Sequence, residues 1–144
     1  MEAKLKVLLD KEEIRDISKR YNRYADAADG DKFASLWVED GIFEIVGNKT
    51  YIGPEEIAFA CRAATQVVHF AADSEITVDG DTADQTSKLI LFFRHPDGQS
   101  MRFACTTTLT DKFVRKEGKW FIKHRRSHTD LPWAEAVKTL GIGA

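Results

Sequence analysis

The fold class of this chain is decided by residues 82–115, which read TADQTSKLILFFRHPDGQSMRFACTTTLTDKFVR. Thr82 to Arg94 and Ser100 to Arg115 are rich in β-branched and aromatic residues, which favour β-strands. Between them, His95-Pro96-Asp97-Gly98 has the composition of a hairpin turn. The stretch therefore predicts two long antiparallel strands joined by a tight turn.

Further strands are predicted on both sides of this hairpin. Val67 to Ala72, continued by Glu75 to Val78, precedes it, and a turn signal lies at residues 79–81. Trp120 to His128 follows it, after a glycine turn. A short first hairpin is predicted from residues 41–46 and 50–52.

The first part of the chain is predicted to be mainly helical. Apolar residues recur at helical spacing from about residue 11 to 28, with Asp10 as N-cap. Asp31 is predicted to cap a short second helix, and Gly53-Pro54 opens a third that runs to about Ala64. A last apolar helix face is predicted after Pro132. Three helices followed by antiparallel strands predict an α+β fold, in which bent strands curl around the helices and leave a cone.

The composition limits the classes of protein that this chain can represent. Its 144 residues suffice for one domain, predicted over residues 1–144, with a core and a cavity. A net charge of −2 argues against a nucleic-acid partner, because a phosphate-binding face normally gives a basic excess. No apolar run approaches the ~20 residues of a membrane span, and no secretory signal is recognised. Cys61 and Cys105 form no Cys-x-x-Cys pair, so we predict buried thiols in the cytoplasm and no metal site.

His69 is the first candidate for chemistry. It stands in the apolar strand predicted from Val67 to Ala72, where a histidine can transfer a proton with little water around it. The alternative is a buried neutral histidine that hydrogen-bonds to the backbone. A carboxylate that orients the ring would favour the catalytic interpretation.

Three aspartates near the end of the first helix are candidates for that carboxylate. Asp31 is well placed as an N-cap, and Asp26 can simply be solvated. Asp29 falls one helical step beyond Ala25 and therefore lies near the apolar stripe of the helix. We predict Asp29 as the partner of His69.

Several polar side chains are predicted to line the pocket around this pair. Tyr24 is a candidate hydrogen-bond donor, whereas Tyr21 is expected to pack in the core. Strand alternation places Thr106 and Thr108 on one face, where they would offer hydroxyls to a substrate. The opposite face of that strand is predicted to be core or oligomer surface, with Cys105, Thr107 and Leu109.

Arg125 and Arg126 point to opposite faces of the last strand. One of them is predicted to hold an anionic or carbonyl oxygen in the cavity. The other would face solvent or a neighbouring subunit, and the spacing does not say which is which.

Four segments of the chain together resemble the SnoaL-like branch of the NTF2-like superfamily, and within it the scytalone dehydratases and hexachlorocyclohexane dehydrochlorinases. The segments are Tyr21-x-x-Tyr24-x-x-x-x-Asp29-x-Asp31-x-Phe33-x-x-Leu36-Trp37-x-x-Asp40, Gly53-Pro54-x-x-Ile57, His69-Phe70 and Gly118-Lys119-Trp120-x-Ile122-x-x-Arg125. The resemblance implies a curved antiparallel sheet wrapped around three N-terminal helices, with an internal pocket.

The resemblance also implies roles for individual residues. His69 matches the proton-transferring base and Asp29 the aspartate that pairs with it, while Arg125 matches an arginine that assists the leaving group. Polar pocket positions match Tyr24, Thr106 and Thr108. Two features of those relatives have no counterpart: a second pocket histidine, and a lysine where this chain has Tyr24.

The expected function is that of a cofactor-independent lyase of the dehydratase type. It would act without a metal on a small hydrophobic substrate, aromatic or polyketide-like. The alternatives are an isomerase or cyclase with the same base, a non-enzymatic module that binds a small ligand, and a dioxygenase small subunit. We also expect a homodimer or homotrimer, because the sheet face and the tail around Trp133 are apolar.

Overall fold

A computed structural model describes residues 1–142 and shows an α+β fold with four helices and six strands. The helices are α1 (Glu2–Asp26), α2 (Gly30–Ala34), α3 (Gly53–Arg62) and α4 (Trp133–Leu140). The strands are β1 (Trp37–Ile45), β2 (Thr50–Ile52), β3 (Val67–Asp79), β4 (Thr82–Arg94), β5 (Met101–Lys116) and β6 (Lys119–Thr129). The two strands predicted from residues 82–115 are present within one residue of their predicted limits.

The six strands form one sheet in the order β2-β1-β6-β5-β4-β3. Strands β3 to β6 form an antiparallel meander, and β1 pairs with β2 in the same way. Strand β6, however, runs parallel to β1. The predicted α+β cone is therefore confirmed, but the sheet is mixed and not antiparallel throughout. The reason is that α3 carries the chain from β2 to the far edge of the sheet, where β3 begins. The meander from β3 to β6 then brings the chain back beside β1, and its last strand, β6, runs in the same direction as β1.

The sheet is curved because its ladders are interrupted by register shifts. One shift in β3 lies between Ala72 and Glu75, where Asp73 has a φ of 51°. Others lie in β4–β5 at Leu91/Phe92 and in β5–β6 at Lys112/Phe113. Such bulges bend a strand and increase its twist. The concave face packs against α1, α2 and α3 and encloses the core.

Helix α1 differs from its prediction at both ends. It begins at Glu2, so Asp10 is not an N-cap. Asp10 is buried and accepts hydrogen bonds from Arg115 Nη1 at 2.7 Å and Trp120 Nε1 at 3.1 Å. The helix ends at Asp26, because the chain turns away at Ala28, which has a φ of 54°.

The short helix α2 is capped by a different aspartate from the one predicted. Asp29 Oδ1 accepts the backbone N–H of Lys32 at 3.2 Å and is the N-cap. Asp31 lies in the first turn instead and pairs with Arg62 Nη2 at 2.9 Å. Since α1 ends earlier than predicted, the next helix also begins earlier.

Helix α4 has the predicted apolar face, with Ala136 and Leu140 buried. On the outer side of the sheet, Phe70 and Phe103 remain 54% and 57% exposed. The homodimer or homotrimer expected from the apolar sheet face stays a prediction. No helix within residues 1–142 combines the length and the apolar character needed to cross a membrane.

Candidate active site

The most distinctive polar contact in the fold joins His69 of β3 to Asp26, the last residue of α1. Asp26 Oδ1 lies 2.7 Å from the ring Nδ1 of His69 and also accepts the backbone N–H of His69 at 3.0 Å. The side chain of His69 is 11% exposed and that of Asp26 is 30% exposed. One carboxylate oxygen therefore fixes both the backbone and the ring of the same histidine.

The position of each residue in the fold explains this double contact. Strand β3 is an edge strand, paired only with β4, so the N–H of His69 is free to donate away from the sheet. A carboxylate at a helix C-terminus faces the negative end of the macrodipole, which disfavours it. The two donors from His69 offset that cost, and Asp26 is held at the junction of α1 and β3.

The contact also determines the tautomer of the imidazole. An ionised carboxylate only accepts hydrogen bonds, so Nδ1 of His69 carries the hydrogen. In the neutral ring Nε2 then has a free lone pair. Nε2 makes no hydrogen bond to any residue from 1 to 142. His69 has the arrangement of a general base whose orientation is fixed by a carboxylate.

The predicted pairing of His69 with Asp29 is wrong, because the partner is Asp26. Asp29 caps α2, and its side chain is 37% exposed next to Lys32. The helical repeat was extended two residues too far, which placed Asp29 instead of Asp26 at the end of the apolar stripe. Asp26 is also not merely solvated, as one interpretation had it.

His69 separates two concave spaces. The first, here called the cavity, has a volume of about 90 Å³ and lies inside the cone. Its lining is mainly apolar and includes Leu89, Leu91, Phe33, Phe43, Trp133 and Leu140. The second, the outer groove between α1 and β3, has a volume of about 530 Å³. Its rim carries Arg15, Lys19 and Arg23.

The two spaces share His69 but not its partner. Asp26 lines the outer groove and not the cavity, whereas His69 lines both. His69 therefore connects the carboxylate that holds its Nδ1 with the wall of the apolar cavity.

Tyr21 is the aromatic neighbour of the base. It lines the cavity, and its ring meets the His69 ring edge-on with the centroids 6.4 Å apart. Burial raises the pKa of Tyr21 to about 12, although the nearby Arg125 opposes this shift. The hydroxyl is therefore neutral near pH 7 and can donate a hydrogen bond.

Arg125 faces the interior but is not one of the residues that line the cavity, so its predicted contact with substrate is not found. Its Nε and Nη2 donate to Asp111 at 2.7 and 2.8 Å, and the two side chains are 1% and 0% exposed. The guanidinium also stacks on the Tyr21 ring at 4.1 Å. Burial alone would lower the pKa of Arg125, but the charge and hydrogen bonds of Asp111 outweigh it, so the pKa is raised. Arg126 faces outward beside Glu44.

Tyr24 does not line the cavity either. It is half-buried at the edge of the core, with the Lys32 ammonium 5.9 Å from its ring centroid. In α1 the stripe that faces the sheet contains Ile14, Ile17 and Tyr21, and Tyr24 lies beside it. The pocket tyrosine is thus Tyr21, which was expected to be core only.

The prediction that Thr106 and Thr108 face the pocket is also wrong. Thr106 and Thr108 lie on the outer face of β5, where both hydroxyls donate to Asp130. Thr107 faces inward, is 1% exposed and lines the cavity. The signal was present in the sequence, because Thr107 alternates with Leu109 and Phe113, which belong to the core.

Comparison with known proteins identifies the family. The profile of the SnoaL-like domain matches residues 6–126, and the chain belongs to this family. No curated protein matches the chain. Within residues 1–142, no three His, Cys, Asp or Glu side chains are grouped so that they could hold a metal ion.

Solved structures show the same fold. An NTF2-like protein with a cystatin-like fold from Novosphingobium aromaticivorans is 30% identical, with 96% of this chain and 93% of that chain covered and a TM-score of 0.81. Rv3472(D26N) from Mycobacterium tuberculosis, of unknown function, is 23% identical, with 94% and 87% covered and a TM-score of 0.81. Hexachlorocyclohexane dehydrochlorinase LinA-type3 from Novosphingobium barchaimii LL02 is 17% identical, with 89% and 91% covered and a TM-score of 0.77.

Proposed function

We propose that this protein is a cofactor-independent lyase in which His69 removes a proton from a carbon atom of a small ligand. The observation that carries the proposal is the double hydrogen bond from His69 to Asp26, which leaves Nε2 without a partner on a residue that lines an apolar cavity. Positioned general bases of this kind contribute roughly 10²–10⁴-fold to a rate. The dehydrochlorinase among the similar structures is an enzyme of the elimination type by its name, which agrees with this reaction class.

The chain supplies a group for each charge that the reaction creates. When Nε2 takes the proton, the imidazolium is stabilised by the Asp26 carboxylate at 2.7 Å. Negative charge that develops on the ligand would be stabilised by the neutral hydroxyl of Tyr21, which lines the cavity and whose ring is held by the stacked Arg125 guanidinium. Because the cavity is mainly apolar, these interactions are stronger there than in water.

Elimination of a leaving group follows the proton transfer and completes the lyase reaction. An isomerase would begin with the same step but would return the proton to another carbon atom of the ligand. The release of a leaving group is therefore the product-based observation that separates the two reactions.

The test uses 5-nitrobenzisoxazole, an elimination probe that needs only a base. Loss of its carbon-bound proton breaks the N–O bond and opens the ring to a coloured cyano-nitrophenolate, so atoms and charge balance without a cofactor. Because the two parts stay in one molecule, the probe tests proton removal by the base and not the release of a leaving group. We expect the wild type to accelerate this reaction and His69→Ala to lose at least about 100-fold. Asp26→Asn should lose most of the acceleration as well.

The matched control is Asp29→Asn, the same substitution three residues further along the chain. Asparagine is also a good N-cap, so α2 should remain intact and the rate should stay at the wild-type level. Full activity of His69→Ala, or equal losses in the two aspartate variants, would overturn the proposal. Circular dichroism of each variant checks that the fold is retained.

A further inference from the structure

Tyr24 and two basic residues line a pocket away from the cavity, here called the basic pocket. It has a volume of about 370 Å³ and lies where α1, the segment after α2 and the first residues of β6 meet. Arg20 and Tyr24 belong to one face of α1, a helical turn apart, and Lys119 begins β6. None of the three lines the cavity or the outer groove. The basic pocket is therefore separate from the His69 site.

The two cations of the basic pocket have no counter-ion within residues 1–142. Arg20 forms no ion pair there, unlike its neighbour Lys19, which pairs with Asp16 at 3.2 Å. The Lys119 ammonium lies over an aromatic ring of its own strand, 5.5 Å from the centroid. None of the described residues that line the pocket is Asp or Glu, whereas the outer groove has two aspartates beside its cations. A concave surface with charge of one sign attracts ligands of the opposite sign.

The basic pocket also offers a free hydroxyl and apolar surface. The Tyr24 hydroxyl makes no hydrogen bond within residues 1–142. It does not belong to the inaccessible polar atoms of those residues that lack a partner, so it is open to solvent. A phenol hydroxyl can donate one hydrogen bond to a ligand. Ile17, Leu36 and Phe121 supply the apolar part of the lining. The pocket therefore fits a ligand with an anionic group and an apolar part.

A phosphate group matches these donors better than a carboxylate does. A phosphate monoester carries a charge of about −1.5 to −2 near pH 7 and has three strong acceptor oxygens. Arg20 and Lys119 supply two positive charges, and Tyr24 makes a third donor group. A guanidinium can bind two such oxygens at once. A carboxylate has one charge and two oxygens, so it would balance only one of the two cations.

We propose that the basic pocket binds a small phosphate monoester. The phosphate group contacts Arg20, Lys119 and Tyr24, and the apolar part of the ligand lies against Ile17 and Phe121. This is a binding site in addition to the proposed active site, and it does not depend on whether His69 acts as a base. The inference also gives Tyr24 the role of a hydrogen-bond donor that its sequence position suggested, but at a different site.

The test measures the binding of phenyl phosphate, inorganic phosphate and benzoate by NMR titration, at a constant ionic strength of about 0.15 M that screens distant charges. The wild type should bind phenyl phosphate most tightly, because inorganic phosphate lacks the apolar part and benzoate carries less charge. Arg20→Gln should lose at least about 10-fold in affinity for phenyl phosphate, and Tyr24→Phe at least about 5-fold, as expected for hydrogen bonds to a charged group.

The matched control is Arg23→Gln, the same loss of charge on the same helix, at a residue that lines the outer groove instead. Its affinity for phenyl phosphate should stay within about 2-fold of the wild type. Equal losses in the two arginine variants would overturn the inference, and so would benzoate or inorganic phosphate binding the wild type as tightly as phenyl phosphate. Arg20→Gln and Tyr24→Phe should keep the elimination rate, since neither residue lines the cavity. A failure of this test therefore leaves the proposed function untouched.

Discussion

Replacement of Asp111 by asparagine tests the conclusion that Arg125 is held in a buried ion pair. Asp111 is fully buried and accepts from Arg125 Nε, Arg125 Nη2 and Gln85 Nε2, at 2.7, 2.8 and 2.9 Å. Asparagine keeps the size of the side chain but removes its charge. Arg125 would then be a buried cation without a counter-ion, stacked on the Tyr21 ring.

The expected loss of stability is large. Removal of one partner of a buried ion pair costs about 3–5 kcal/mol, because the remaining charge stays desolvated. For a domain of this size each kcal/mol corresponds to roughly 2–4 °C in Tm. We therefore expect Asp111→Asn to unfold at least about 6 °C below the wild type. If instead Arg125 were free to contact a substrate, the same substitution would have little effect.

Thermal and urea unfolding, followed by circular dichroism, give the measurement. The control is Asp84→Asn, which breaks the exposed ion pair with Lys112 at 3.1 Å and should change stability by less than about 1 kcal/mol. A double replacement, Arg125→Met with Asp111→Leu, should recover most of the stability because no charge is left buried. A loss below about 1 kcal/mol in Asp111→Asn would refute the reasoning.

Three further predictions follow from other contacts. Asp29→Ala should destabilise the protein by about 1 kcal/mol in urea unfolding, since it removes the N-cap of α2. It should not slow the elimination reaction, and a slower reaction would contradict the conclusion that Asp29 only caps α2. Burial raises the pKa of Cys61 to about 11, so iodoacetamide at pH 8 should label it at least about 100-fold more slowly than free cysteine, by mass spectrometry. Partial burial of Asp130 is outweighed by hydrogen bonds from Lys88 and the threonine hydroxyls, which lower its pKa in the fold. The contribution of Asp130 to the free energy of unfolding is present above the ordinary pKa of 3.8 and is lost as the pH falls through the lower pKa of the folded state. Asp130→Asn should remove this part of the acid dependence of urea unfolding. An unchanged acid dependence would count against the hydrogen bonds from Lys88 and the threonines to Asp130.

Much of the fold could be predicted because the long strands carry strong local signals. The hairpin of residues 82–115 is defined by its turn, and the apolar stripe of α1 by its helical period. The parallel contact of β1 with β6 could not be predicted in this way. It depends on where α3 delivers the chain, which is a property of the whole topology and not of either strand.

The site was predicted in part, and its errors have local physical causes. His69 lies on the inner wall as expected, since an apolar strand next to a helix is enclosed by the cone. Asp26 was missed because the left-handed backbone of Ala28 ends α1 early, and nothing in an alanine indicates this. The face of β5 that carries Cys105, Thr107 and Leu109 is core as predicted, but strand alternation gives no sign that Thr107 also lines the cavity.

The central claim is that Asp26 holds His69 with Nε2 as the free base, and ¹⁵N NMR of the imidazole tests it most directly. At a pH where the ring is neutral, we expect a protonated Nδ1 and an unprotonated Nε2 for His69 in the wild type, and loss of this fixed tautomer in Asp26→Asn. A ring protonated at Nε2, or one that exchanges between both tautomers in the wild type, would contradict it.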